Sequence, residues 1–296
     1  MNEHHLQLPR VLSLCADDFG LSPGIAAGIA QLARAGRISA ISCVANAPGW
    51  VRDAALLRGL APTVAIGLHL NLTDGRPLSA QLARVWPRLP TLPELLLRTH
   101  LRLAPQQALR HEIAAQWRAF VAATGRPPDF IDGHQHVHHL PGVRDALLAV
   151  FDTWQIRPAL RSTARVLGPG HAVKRWLIER TGGRTLGREL ARRAVPHNPA
   201  LLGVYDFSNT DYRCLMQNWL AQLPLEGAMV FCHPGAPQGL DAGDAHPAAR
   251  VRELAYLSSN TFLRDLADAR VILGNSWCRS DPSIQAASVS EMSRTG

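Results

Sequence analysis

The sequence predicts an α/β chain folded as a (β/α) barrel with seven or eight mostly parallel strands. Three observations predict it. Short apolar runs alternate with amphipathic stretches along the chain, the pattern of parallel strands joined by crossover helices. No run of consecutive strands and no internal repeat interrupts that alternation. The length, 296 residues, is what a single barrel commonly uses.

The elements follow in order. Residues 11–16 form a β-like apolar run. Ser22 and Pro23 supply a cap and a first turn for a helix through Ile25, Ile29 and Leu32, stopping near Gly36. Residues 41–45 and 64–70 are the next strand candidates. Leu109, Ile113, Trp117, Phe120 and Val121 recur at helical spacing, and Gly125 ends that helix. A strand at 130–133 and a helix at 143–154 come next. Further strands are expected at 159–162, 202–207, 228–232 and 271–273, with helices at 172–179, 212–220, 251–257 and 262–267. Residues 76–104 are rich in proline and leucine and poorly periodic, so they are expected as a long insertion near one barrel end. The chain thus divides into a single barrel domain at 1–282 and a polar, aperiodic, disordered tail at 283–296.

Composition narrows the class. A hydrophobic fraction of 47% with 18% charged residues fits a globular chain with a sizeable core, not a disordered or fibrous one. The net charge is +8, and Lys174 is the only lysine. The arginines are scattered, without a block of five like charges or a basic–aromatic strip, so a solvated basic surface is expected and no nucleic-acid partner. The five cysteines, Cys15, Cys43, Cys214, Cys232 and Cys278, are odd in number and lack a CxxC spacing, the pattern of reduced thiols in a cytoplasmic protein. No signal peptide and no membrane span are expected.

Four segments at predicted strand ends carry the chemistry, and strand ends are where parallel barrels build their sites. In Asp17-Asp18-Phe19-Gly20, two adjacent carboxylates close an apolar strand. Such a pair is costly unless a cation or donors compensate it. One can bind a metal while the other takes a proton from water; the alternative is a turn in which Asp18 caps the next helix. His69 interrupts an apolar strand in Gly67-Leu68-His69-Leu70-Asn71, as a ligand or as a satisfied core histidine, and Asn71 shares its face. The stretch from Asp132 to His139 holds four histidines within six residues. His134, His136 and His138 share one side if it is extended, and His134 and His138 align if it is helical. His233 ends a strand in Phe231-Cys232-His233-Pro234-Gly235 and is either a turn residue or a proton donor. Histidines and aspartates from separate strand ends suit Zn²⁺, Mn²⁺, Fe²⁺ or Co²⁺, and Mg²⁺ less easily. With a carboxylate base and a histidine acid, they hydrolyse an amide or an ester.

The segments LCADDFGLSPGI, IGLHLNLTDGRPL, FIDGHQHVHHLP and FCHPG, in this order, resemble the YdjC-like carbohydrate deacetylases from about residue 11 to 275. The resemblance implies a barrel-like fold of the glycoside hydrolase and deacetylase type. It implies hydrolysis of acetyl groups from an N-acetylated sugar or glycolipid headgroup, with one divalent cation (Mg²⁺, Zn²⁺ or another). Matched residue by residue, it makes Asp18, His69 and His134 the metal ligands and Asp17 the general base, a split that leaves the two aspartates interchangeable. His233 matches a late histidine, assigned as general acid. Asn71, His136, His138 and Arg161 are expected to contact substrate or to support the ligands from behind, His136 and His138 by orienting His134 or lining the pocket. Loops within 76–104 would shape substrate choice, and a homodimer is expected. Two other readings stay open: a metal-independent glycoside hydrolase, which needs carboxylates about 5–10 Å apart, and a non-catalytic sugar- or nucleic-acid-binding protein.

Overall fold

The computed structural model describes residues 9–154 and 156–277; Cys278 and the 283–296 segment lie outside the described residues. The strands are β1 (Arg10–Phe19), β2 (Ala40–Cys43), β3 (Ala65–Leu70), β4 (Phe130–Gly133), β5 (Ala159–Leu160), β6 (Leu201–Leu202), β7 (Ala228–Cys232) and β8 (Val271–Leu273). Between them run α1 (Pro23–Arg34), α2 (Trp50–Asp53), α3 (Ala80–Val85), α4 (Leu92–His100), α5 (Gln106–Thr124), α6 (Val143–Phe151), α7 (Ala172–Ile178), α8 (Arg184–Arg192), α9 (Tyr212–Ala221), α10 (Pro247–Ser258) and α11 (Asn260–Asp268).

All strand pairs are parallel, in the order β5-β4-β3-β2-β1-β7-β6, with β8 paired to the first residues of β1. A bridge between Val166 and Leu201 draws the two ends of this curled sheet together, so the expected barrel-like architecture is what forms. The larger core fills the space between sheet and helices. A smaller one lies inside the curl, where Cys15, Ala40, Ala65, Phe130, Ala159, Leu201 and Met229 come from seven successive strands. Alternation along each strand then dictates what lies above them. Two residues on from Cys15, Ala40, Phe130 and Ala159 stand Asp17, Ser42, Asp132 and Arg161, all buried. A polar layer therefore covers the apolar one on the side of the C-terminal strand ends.

Local chemistry explains the elements. Ser22 Oγ accepts from Ile25 N at 3.4 Å to start α1, and Gly125, at φ 74°, ends α5. Residues 76–104 hold two helices where the weak periodicity showed none. Ser79 Oγ caps α3 at Leu82 N, and the Glu94 carboxylate accepts from Thr91 N at the start of α4. The buried Glu112 of α5 accepts from the Leu78 and Ser79 amides, which ties the segment to the barrel. Strand β6 is shorter than the expected 202–207. It stops before Gly203, at φ 111°, where a Cβ would strike the Phe231 carbonyl. No described helix is long and apolar enough to cross a membrane.

Gly67, in β3, lies against the Phe130 ring, and a Cβ there would overlap it. Gly67→Ala is expected to lower stability by about 1–3 kcal/mol in urea unfolding. A second change, Phe130→Leu, should recover part of the loss; a fully stable single variant would contradict this packing. Glu253 of α10 is fully buried, takes the His233 amide at 2.6 Å and the Tyr205 hydroxyl, and joins β6 and β7 to the helix layer. Burial pushes its carboxyl up to about 7, against the pull of those hydrogen bonds. A raised carboxyl favours folding fully below about pH 4.5 and loses that contribution as pH rises through 7. Relative to Glu253→Gln, the native chain should therefore lose up to about 3 kcal/mol between pH 4.5 and 8 in denaturant titrations; parallel pH profiles would refute it.

Candidate active site

The site opens at the C-terminal ends of the strands, in a cavity of 980 Å³ bounded by Asp17, Asp18, His69, His134 and His233. Adjacent aspartates in regular strand would point to opposite sides. The β1–β2 register shifts between Ala16 and Phe19, and Asp18 takes a left-handed φ of 71°. This bulge turns both carboxylates toward the cavity.

Asp18 Oδ1 lies 3.5 Å from His69 Nε2 and 3.0 Å from His134 Nδ1. A single ion about 2.0–2.2 Å from each of three such atoms would hold them roughly 3–3.5 Å apart. The donor set therefore fits a divalent cation, with one carboxylate and two imidazoles. Parallel register sets His69 beside Asp132, whose Oδ1 meets His69 Nδ1 at 2.6 Å. Ser42 Oγ donates to the same carboxylate at 2.5 Å and lies 2.9 Å from His69 Nδ1. A histidine whose second nitrogen is held by a carboxylate is oriented to offer the first to a metal. Burial alone would lower the His69 pKa, but Asp132 and Asp17 raise it to about 10, so the metal-free ring carries a proton. Burial opposes the charge on Asp18, yet Arg250 and His134 hold its carboxyl well below the usual range.

Asp17 is held differently. Arg161 grips both of its oxygens at 2.6 Å and reaches Asp132 Oδ2 at 2.5 Å. Cys15, Asp17 and Asp132 converge as a second group, and the Arg161 guanidinium occupies the place a cation would take there. Arg161 is fully buried beneath the cavity, a placement that suits the second of its two expected roles, support of the site residues from behind. Asn71 turns to the neighbouring loop. Its side chain accepts from the Thr73 and Asp74 amides and donates to Asp74 O and Asn46, so it shapes the loop after β3 instead of facing substrate.

The histidine-rich segment is neither strand nor regular helix. Gln135 and His136 adopt left-handed φ values of 52° and 61°, and the four rings diverge. His134 turns to Asp18. His136 joins the cavity wall, edge-on to Phe231 at 5.1 Å. His138 points away, its Nε2 2.9 Å from the Arg161 carbonyl, and His139 spans Thr163 and Thr181. His233 packs edge-on to Phe207 and Phe231, and its buried Nδ1 has no hydrogen-bond partner among the described residues. Burial holds its pKa down at about 4 despite Asp18 and Asp17, so the ring rests neutral.

Sequence reasoning gave no role to Ser42, Asp132 or Arg250. Asp132 was within reach, two residues before His134 at a strand end. Arg250 had no signal. It lies in α10 and joins Asp18 Oδ2 at 2.8 Å to Asp244 at 2.7 Å.

Comparison with known proteins supplies context. The chain is 28% identical over 284 residues to a chitooligosaccharide deacetylase of Klebsiella pneumoniae, covering 90% of this chain and 98% of that protein. It is 29% identical over 276 residues to the Serratia marcescens chitooligosaccharide deacetylase, with the same coverage. A carbohydrate deacetylase of Mus musculus is 29% identical over 299 residues, at 90% and 94% coverage. Among solved structures, a candidate cellobiose-phosphate cleavage protein of Enterococcus faecalis superposes with a TM-score of 0.69 at 22% identity, over 90% of this chain and 98% of that one, and shares its fold. Residues 11–268 match the family described as YdjC-like protein, and with most of its length so matched, this chain is a member of that family.

Proposed function

We propose that this chain is a hydrolase that cleaves the amide C–N bond of an N-acetylated carbohydrate and releases acetate, with a divalent cation at Asp18, His69 and His134. The observation that carries it is the meeting of those three side chains beside Asp17, within a cavity of a size that holds a sugar. A cation held there polarises an acetamide carbonyl and makes water acidic near neutral pH. Asp17, fixed by Arg161, takes a proton from water as the water oxygen attacks the acetyl carbon. His233 rests neutral, so it gives a proton only after receiving one. Asp17 and His233 therefore handle the same proton in turn. The imidazole delivers it to the nitrogen as the C–N bond breaks, leaving acetate and a free amine. His136 and Phe231 form cavity wall. Thr91, Leu92 and Leu96, from residues 76–104, line the outer part and select among acetylated sugars.

The deciding experiment measures acetate release from a panel of N-acetylated sugars, with chelator and with added metals. Activity on at least one sugar, lost with chelator and restored by metal, is expected. Asp17→Asn should keep cation affinity and lose about 10²–10⁴-fold in turnover, and His69→Ala should lose both. A fully active Asp17→Asn would remove the base; activity indifferent to chelator would remove the cation. The His69 pKa adds a linkage. Its raised value keeps Nε2 protonated below about pH 10, so cation binding must displace that proton while Asp132 retains the one on Nδ1. Calorimetric titration with Zn²⁺ in buffers of different ionisation enthalpy should show about one proton released near pH 7.5, with affinity rising about tenfold per pH unit. Binding without proton release would contradict it.

A further inference from the structure

Much of the chain's positive charge lies outside the site, and a cluster of it follows Lys174 and Leu177, which border the cavity. Residues 172–193 contain seven of the 31 basic residues against two carboxylates, Glu179 and Glu189, a net +5 out of +8. This stretch is α7, a π-helical turn and α8. In α8, Arg184, Arg188 and Arg192 recur every fourth residue on the exposed side, while Leu186 and Leu190 are buried beneath.

Helix α7 is unusual in another way, since none of its side chains is buried. Val173, Trp176 and Leu177 fall on one face by helical spacing, exposed by 73%, 52% and 46%. Arg180 lies over the Trp176 ring at 5.6 Å. Leu177 also borders the cavity. On another part of the same rim, α4 gives Leu92 and Leu96 to the cavity and exposes Leu97 by 62%. Large apolar side chains standing in water beside a site mark a contact surface.

Charge and apolarity together select the partner. A nucleic acid would use the arginines and leave the aliphatic face wet. A second copy would bring two +5 surfaces together. An anionic bilayer satisfies both features. Its headgroups attract the arginines, its acyl boundary takes valine and leucine, and tryptophan settles at the level between. We propose that α7 and α8 dock the protein on an anionic phospholipid surface, with the cavity mouth beside the headgroups.

The test is co-sedimentation of the full chain with phosphatidylcholine vesicles, with and without about 30% phosphatidylglycerol, at about 0.05 and 0.5 M salt. Binding is expected only with phosphatidylglycerol, and is expected to collapse at high salt. Val173→Ser/Trp176→Ser should cut partitioning at least about tenfold. Arg180→Gln/Arg188→Gln should cut it about 25-fold, roughly fivefold per arginine. Both variants should unfold at the native temperature, which separates lost docking from lost fold. Absence of the protein from phosphatidylglycerol pellets overturns the proposal, as does pelleting of both variants undiminished from that of the native chain. It is also overturned if the apolar variant converts a dimer to a monomer without changing vesicle binding, which would make the face an interface between copies. Tight binding to duplex DNA, lost with the arginine variant alone and unmatched by vesicles, overturns it in favour of nucleic acid.

Discussion

One buried guanidinium holds the site together. Arg161, without solvent exposure, joins Asp17 of β1 to Asp132 at the end of β4. Isolated, each of these charges would be expensive inside the barrel, and removing one partner of such a pair typically costs about 3–5 kcal/mol because the other stays buried and uncompensated. The three groups therefore constrain one another. Asp132 in turn orients His69, its neighbour in the parallel register, with Ser42 closing the contact from β2. Asp17 and His69 are thus positioned by one ion-paired layer, which rests on the apolar layer of Cys15, Ala40, Phe130 and Ala159.

Above that layer, regular secondary structure gives way. The left-handed Asp18 and the β1 bulge let consecutive carboxylates serve different partners, Arg161 for Asp17 and the two histidines for Asp18. The left-handed Gln135 and His136 do the same for the histidine segment, sending His134 inward and His138 behind Arg161. Backbone in sparsely populated regions costs about 1–3 kcal/mol per residue and survives where surroundings over-determine it. Here Arg250 neutralises Asp18 from α10, and buried hydrogen bonds fix His138 and His139.

What the sequence made legible follows from what is local. Strand runs and long amphipathic helices such as α1 and α5 announce themselves through spacing and caps. Helices α3, α4 and α8 span only six, nine and nine residues, too few turns to show a period. The residues that meet at the cavity were legible because each ends a strand, and parallel strand ends converge. Their supports were not. Ser42 reads as an ordinary strand serine, and Arg250 as one of many arginines on a helix. Arg161 was visible, but its distance from solvent depends on the alternation of a two-residue strand, β5, that fixes which side it faces. The histidine run misled for a related reason: both regular geometries assumed for it fail at two left-handed residues that no spacing rule encodes.

The cavity is thus built from two kinds of material. Its floor is strand ends and ion pairs, whose geometry follows from register and leaves little to adjust. Its rim is α4, α7 and the loop after β7, elements outside the sheet. Arg250 connects the two, because its guanidinium pairs with Asp18 in the floor and with Asp244 in the rim loop. The charge facing Asp18 and the placement of Asp244 are therefore linked through one side chain. That coupling is electrostatic and buried, and so weakly screened by salt. It makes the outer loop part of what sets the electrostatics around Asp18.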